Sequence, residues 1–263
     1  MKLKYIFIGI IILFIGCNKS YDNALKLNGN VKEIKQTNLV IKYDSIGNEK
    51  LDTTLFVKTT FDKTGKIIKT LTKYYLSNKP KLTTFTNFEY NWKGQLNREN
   101  AIVLPDSNKI IVDYIYDQKL FKKGLLKKVI SKDSTGFTFL ETYKYNSKEQ
   151  LTKKKSSEYS IDISNKDTIH STTGIFEYNN NKNLTQFEWI DNIDDFYQKE
   201  NYKYNNKGLR ISMSKYDKNN NIIGFLEYKY QYDSIANWIE RKTYKDDSII
   251  EIRKRIITVH NNV

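Results

Sequence analysis

The stretch Tyr228–Tyr244, reading Tyr-Lys-Tyr-Gln-Tyr-Asp-Ser-Ile-Ala-Asn-Trp-Ile-Glu-Arg-Lys-Thr-Tyr, constrains the fold more than any other part of the chain. Tyr228, Tyr230 and Tyr232 fall on alternate positions, Asp233 opens a polar break, and Trp238 begins a second run. Successive side chains of a strand point to opposite faces, so strict alternation marks a half-buried β-strand. The aromatic-Asp/Asn step recurs at Tyr43-Asp44, Phe61-Asp62, Tyr90-Asn91, Tyr116-Asp117, Tyr145-Asn146, Tyr178-Asn179, Tyr204-Asn205, Tyr216-Asp217 and Tyr232-Asp233. In six of them another aromatic stands two residues earlier: Phe88, Tyr114, Tyr143, Phe176, Tyr202 and Tyr230. Spacings of 12 to 33 residues suit one hairpin or strand pair per unit, which makes the chain a degenerate repeat.

Turn chemistry supports the hairpins. Asp or Asn at the first turn position bonds its own backbone further on, and a residue three places later takes positive φ. Gly47, Gly65, Gly94 and Gly208 hold that place, with Glu149, Lys182, Asn220 and Ala236 standing in elsewhere. After Asp117 the nearest glycine is Gly124, which predicts an extended loop. The first strand starts near Gly29–Ile34, and return strands start near Ile67, Leu96, Leu125, Leu151, Leu184, Leu209, Ile222 and Trp238. Pro80 and Pro105 are placed in connections, and sustained helical periodicity with caps is absent. The expected fold is all-β: an antiparallel meander of about sixteen to twenty strands, at two per anchor. Its expected shape is a long twisted sheet or a curled open roll.

The N-terminus carries an address. Lys2 and Lys4 precede an apolar run, Tyr5–Ile15, too short to span a bilayer comfortably, and Gly16-Cys17 ends it. Phe14-Ile15-Gly16-Cys17 resembles the lipobox of a bacterial lipoprotein signal, with Phe14 where Leu is usual. The resemblance implies cleavage before Cys17 and diacylation of its sulfur, and about two or three acyl chains make a stable anchor. The alternatives are an ordinary signal peptide or a single membrane helix. Cys17 is the only cysteine and has no disulfide partner to seek, which favours the lipid. The expected organisation is a signal peptide over residues 1–16, a lipidated Cys17 with a short tether to residue 28, and one β domain over residues 29–263. The expected location is the outer membrane, on its periplasmic face or at the cell surface.

The repeats resemble the tyrosine-aspartate repeats of the Rhs family, Tyr-x-Tyr-Asp-x-x-Gly-x-Leu. Tyr202-Lys203-Tyr204-Asn205-Asn206-Lys207-Gly208-Leu209 is the nearest copy. Tyr230–Arg241, with Asn237-Trp238 and Arg241 after the turn, resembles a variant common in lipoproteins of Bacteroidota. Rhs proteins wind such strands into a shell around a toxin. This chain has too few repeats for a closed shell on that reading, so the resemblance implies a fold and little about function. A transmembrane barrel is disfavoured by the positions between the aromatics. Lys144, Lys203, Lys229, Glu89 and Glu177 would face lipid, at a cost of about 2–4 kcal/mol for each midplane Lys and less for Glu.

The formal charge of +14 fits an anionic partner such as lipid headgroups or acidic polysaccharide. Lysines alternating with Tyr, Phe and Thr also fit the solvent face of strands, where they discourage edge pairing. Nucleic acid does not suit an envelope-anchored chain. With no cysteine beyond Cys17, neither a thiol nucleophile nor a cysteine zinc site is available. His170 and His260 are far apart and read as surface residues. Asp217-x-Asn219-x-Asn221 starts like a calcium loop, but Ile222 and Tyr228 replace the glycine and glutamate it needs. Asp191, Asp194 and Asp195 read as a solvated acidic loop. No catalytic set, metal site or cofactor is expected.

The 20 Tyr, 13 Phe and 3 Trp at strand period are first of all core. Trp92, Trp189 and Trp238 are the candidate ligand contacts, Trp92 foremost because it sits inside a turn. Asp-Ser/Thr motifs at Ser45, Thr53, Ser134, Thr168, Ser234 and Ser248 resemble the O-glycosylation acceptor of Bacteroidota. The expected function is a non-enzymatic lipoprotein offering its sheet as a binding or scaffold surface to an envelope protein or glycan. An envelope glycan or peptide hydrolase is the rival, since carboxylate pairs need only meet in space. An immunity or toxin-delivery accessory is the third reading.

Overall fold

The computed structural model describes residues 27–43, 46, 48–117, 124–134, 138–159, 168–179, 181, 183–191 and 197–260. The signal segment, Cys17 and the tether up to residue 26 lie outside the described residues. The strands are β1 (Val31–Tyr43), β2 (Glu49–Phe61), β3 (Ile67–Leu76), β4 (Lys79–Tyr90), β5 (Leu96–Leu104), β6 (Asn108–Tyr116), β7 (Leu126–Asp133), β8 (Thr138–Tyr145), β9 (Leu151–Tyr159), β10 (Thr168–Tyr178), β11 (Leu184–Asp191), β12 (Tyr197–Tyr204), β13 (Arg210–Tyr216), β14 (Ile222–Tyr232), β15 (Trp238–Lys245) and β16 (Ser248–Val259). Each pairs antiparallel with its sequence neighbours, and β1 pairs with β16 from Val31↔Val259 to Val40↔Glu251.

That last ladder corrects the expected open sheet: the sixteen strands form a closed barrel. The repeats are enough for closure after all. An open meander would leave two unpaired edges, and joining β1 to β16 satisfies both. Pro80 also departs from expectation, lying within β4 opposite Tyr75 and not in a connection.

The Asp/Asn anchors build the hairpins as their chemistry predicts. Oδ1 of Asp62 accepts the N–H of Thr64 and of Lys66, and Asp233 does the same for Ile235 and Asn237. Asn91, Asn146, Asn205 and Asp217 repeat the pattern two and four residues on. Glu149, Asn220 and Ala236 take the glycine's place at φ of 60°, 61° and 65°. Each turn ends in a register shift that leaves a carbonyl off the ladder, and tyrosine hydroxyls fill several of these vacancies. Tyr90 donates to Ile67 O, Tyr116 to Leu96 O and Tyr230 to Arg210 O, each at 2.8 Å. At the next turn Asp117 N–H donates to Leu125 O at 2.9 Å, and residues 118–123 lie outside the described residues.

Asp233→Ala removes an acceptor of two backbone N–H groups and of the Asn237 side chain. It is expected to cost about 2 kcal/mol, read as a lowered urea midpoint at unchanged m-value. An unchanged midpoint would show that the turn holds without its side chain.

Alternation sorts the residues into two walls. The aromatics of the anchors point inward: Phe88, Tyr114, Tyr143, Phe176 and Tyr202 are all buried. Tyr114, Tyr143, Phe176 and Tyr202 belong, with Val129, Leu151 and Leu184, to the core cluster of β5 to β12. Gly174 faces Lys154 across the β9–β10 ladder, and a Cβ there would meet the Phe176 and Phe187 rings at 3.0 and 3.1 Å. Lys144, Lys203, Lys229, Glu89 and Glu177 are exposed on the outer wall. Lys73, Asp113, Lys155, Lys242 and Lys254 also face outward, near the midpoints of their strands.

Candidate functional site

The barrel has two unlike ends. The hairpins at Asp62, Asn91, Asn146, Asn205 and Asp233 lie at one of them, where the chain also enters β1 and leaves β16. Asn28 fastens the entering chain there: its N–H donates to Asn237 Oδ1 at 2.6 Å, and its amide donates to Ile235 O at 2.8 Å. The inward aromatics stand just before these hairpin turns, so this entry end is lined by rings. Past them, towards the far end, the inner wall turns polar.

Charge is unevenly spread on that inner wall. From β5 to β9 it carries Glu99, Glu141 and Lys154, each almost wholly buried. Tyr114 donates its hydroxyl to Glu99, and Glu141 pairs with Lys154 and accepts from Tyr143. Burial raises the Glu99 carboxyl to about 7, the Tyr114 hydrogen bond pulling the other way.

The opposite wall is formed by the last strands. Arg241 of β15 stands directly across from Arg253 of β16, and both reach Glu251 Oε1, Arg241 Nη2 at 3.3 Å. Arg255 donates from Nε to Gln36 Oε1 at 3.0 Å and lies 3.3 Å from the Trp238 ring centroid. The Arg241 guanidinium sits 5.0 Å from the Tyr228 ring, and its Nε is buried with no hydrogen-bond partner. Thr243 Oγ1, on the same wall, is likewise buried and unpartnered. Burial, and then the neighbouring Arg253, hold Arg241 below its ordinary value against the pull of Glu251. Two guanidiniums thus share one carboxylate with a third, Arg255, beside them on the same face, and Arg253 and Glu251 are still 21% and 24% exposed.

Strand β16 carries charge on its inner face and apolar side chains on its outer one. Glu251, Arg253 and Arg255 turn inward beside Val40, Asn38 and Gln36, while Ile252 and Ile256 turn outward beside Leu39 and Lys35. Ile256 is 68% exposed, and with Leu39, Phe56 and Ile239 it lines an outer groove of about 470 Å³. Cations crowded on one carboxylate at the inner wall are where a function is expected.

The tryptophans named from sequence are scattered. Trp92 is 85% exposed in the β4–β5 turn, its ring 4.9 Å from Lys93 Nζ. Trp189 lines the inner wall of β11, its ring 5.8 Å from that of Phe187. Trp238 is only 4% exposed, edge-on to Tyr230 at 5.9 Å and covered by Arg255. It also borders a pocket of about 240 Å³ at the entry end with Tyr232, Leu209 and Lys207.

Of the Asp-Ser/Thr positions, Ser134, Ser234 and Ser248 are exposed and Thr53 is half-buried. Thr168 opens β10, and Ser45 lies outside the described residues. His170 is in β10, and His260 follows β16 with its N–H on Asn30 O. Asp217 spends its carboxylate on Asn219 and Asn221 within its turn. Asp191 is buried at the end of β11, and Asp194 and Asp195 lie outside the described residues.

Sequence reasoning used Arg241 only as a repeat marker and passed over Glu251, Arg253 and Arg255. The signal available was their own spacing, Glu-x-Arg-x-Arg, charges on alternate positions of a strand flanked by isoleucines.

No protein-family model matches the sequence, and no curated protein matches it. Among solved structures the fold is similar to that of a porin-like protein from Bacteroides uniformis, with TM-score 0.54 and 12% identity over 88% of this chain and 99% of that one. A porin-like protein from Bacteroides vulgatus is similar at TM-score 0.51 and 10% identity, over 89% of this chain and 99% of that one. At such identities the likeness is one of fold.

Proposed function

We propose that this protein is a lipid-anchored barrel of the bacterial envelope that binds an acidic ligand in its lumen and catalyses no reaction on it. The observation that carries the reading is the inner face of β16, whose Arg253 joins Arg241 on the single carboxylate of Glu251, with Arg255 next along the same face. Guanidiniums match carboxylate and sulfate oxygens in a fixed fork, which is why arginine suits such recognition. Half-buried Tyr230, packed edge-on against Trp238, is the ring beside them that a sugar can reach. A sulfated or uronate oligosaccharide meets both demands.

The outer wall supports a barrel standing in water. Lys73, Lys155, Lys242 and Lys254 near mid-strand would each cost about 2–4 kcal/mol at a bilayer midplane. Anchoring then falls to Cys17, whose lipobox is the support for an envelope location. The rival hydrolase reading has two buried carboxylates, Glu99 and Glu141. They are 4% and 2% exposed, and no substrate bond reaches them without opening the core.

Isothermal titration with sulfated and uronate oligosaccharides tests the reading. Binding is expected for these and not for their neutral counterparts, and Arg253→Gln is expected to weaken it about tenfold or more. Equal binding of neutral oligosaccharides, or an unaffected Arg253→Gln variant, would overturn it.

A further inference from the structure

The turns at the two ends of the barrel carry opposite charge. At the entry end the described turns hold Lys63 and Lys66, Lys93, Lys148, and Lys207, against the single glutamate Glu149. Asp62, Asp117 and Asp233 of the same turns face their own backbone N–H groups, as Asp217 does at the far end, and with every carboxylate counted the described entry-end turns remain the positive ones. At the far end the described connections hold Asp106, Asp217, Asp246 and Asp247, against Lys218. The charge of the outer wall is distributed along every flank, so this axial separation belongs to the turns.

The entry end also exposes large apolar side chains. Trp92 is 85% exposed beside Lys93, and Ile235, in the turn that Asn28 grips, is 48% exposed. An amphipathic Trp among lysines is the composition of a surface that meets lipid headgroups. The polypeptide reaches this same end, with Asn28 held against Asn237 and only residues 18–26 between the described chain and Cys17. So few residues cannot carry an anchor at Cys17 to the opposite mouth along strands of up to 13 residues and still let the barrel turn over freely.

We propose that the entry-end rim is a docking surface for an anionic phospholipid bilayer, with Trp92 entering the headgroup layer and Lys63, Lys66, Lys93, Lys148 and Lys207 over the phosphates. The barrel then stands upright, its acidic far end directed away from the membrane. Ser134 and Ser248, both at that far end, face away from the bilayer in this orientation. The inference stands apart from the lumen site and does not need acylation, because charge and Trp92 act without it.

The test uses the mature-length chain with Cys17→Ser, so that no lipid tethers it, and vesicles of phosphatidylethanolamine with phosphatidylglycerol. Sedimentation with vesicles is expected at low salt, falling as salt rises and absent with phosphatidylcholine alone. Lys63→Gln/Lys93→Gln/Lys207→Gln is expected to lose about 100-fold in partition, at about one tenfold step per 1.4 kcal/mol and about 1 kcal/mol per lysine. Lys128→Gln/Lys199→Gln/Lys229→Gln on the outer wall removes the same charge and is expected to keep binding. Trp92→Phe is expected to abolish the blue shift of tryptophan emission on vesicle addition. No binding to anionic vesicles, equal loss in both triple variants, or a blue shift that survives Trp92→Phe would each overturn the proposal. Oligosaccharide titration of the same variants reads the lumen separately.

Discussion

Lys154→Met is expected to destabilise the barrel by about 3–5 kcal/mol, the cost of leaving a buried charge without its partner. Lys154 and Glu141 are each 2% exposed and pair directly, with Tyr143 also donating to the glutamate and Ser156 Oγ 3.5 Å from it. The lysine ammonium lies 5.9 Å from the Tyr143 ring centroid, so removing it strips the carboxylate of its main compensation. Lys154→Met/Glu141→Leu removes both charges and is expected to recover at least half of the loss, because an apolar pair of similar volume does not need desolvated charges to meet. Urea unfolding of the two variants and the parent is the measurement. A single variant within about 1 kcal/mol of the parent would show that water reaches this pair.

Glu99→Gln is expected to change the pH dependence of stability. The folded carboxyl is raised from 4.5 to about 7 by burial, so the folded state binds the proton more tightly than the unfolded one. Its contribution is greatest below the unfolded value, declines as pH rises from about 4.5 to about 7, and is flat above that. Over that window the loss is about 3 kcal/mol. Glutamine stays neutral and keeps an oxygen for the Tyr114 hydroxyl, so the variant gains most at pH 8 and least at pH 4.5. Allowing for an amide N–H₂ without an assured acceptor, the gain at pH 8 is about 2 kcal/mol. Midpoints of both proteins at the two pH values decide it. A gain equal at both would mean that Glu99 keeps its charge throughout.

Both predictions concern residues that gave little away in the sequence, and the reason is parity. Lys153, Lys154 and Lys155 are consecutive, and alternation says only that the middle one opposes its neighbours. Which face it takes follows from the register shift between Lys144 and Tyr145 in the β8–β9 ladder, where Tyr145 meets Leu151 and Tyr143 meets Lys154. A turn one residue longer would bury Lys153 or Lys155 instead. The arginine wall was hidden differently. Glu251, Arg253 and Arg255 alternate as a solvent-facing strand should, and only the β1 partner shows that they face the lumen.

The hairpins, by contrast, were legible almost residue by residue. Asp or Asn after an aromatic, followed by glycine or a tolerant substitute, predicted turns whose positive φ values appear at Gly65, Gly94, Gly208, Glu149, Asn220 and Ala236. The inward aromatic face and the exposed Lys144, Lys203 and Lys229 followed from the same alternation. These features arise within a few residues, from side chain to nearby backbone, and a sequence carries such information directly.

Closure was not legible. The expected open sheet and the observed barrel use the same strands and turns, and differ in one ladder, β1 with β16. Backbone hydrogen bonds in that ladder are blind to side-chain identity, and whether its strands meet depends on twist accumulated across the intervening sheet. Local chemistry therefore determined the strands, the turns and the aromatic face. The tertiary structure alone decided that the ends join, and with that which charges share the lumen.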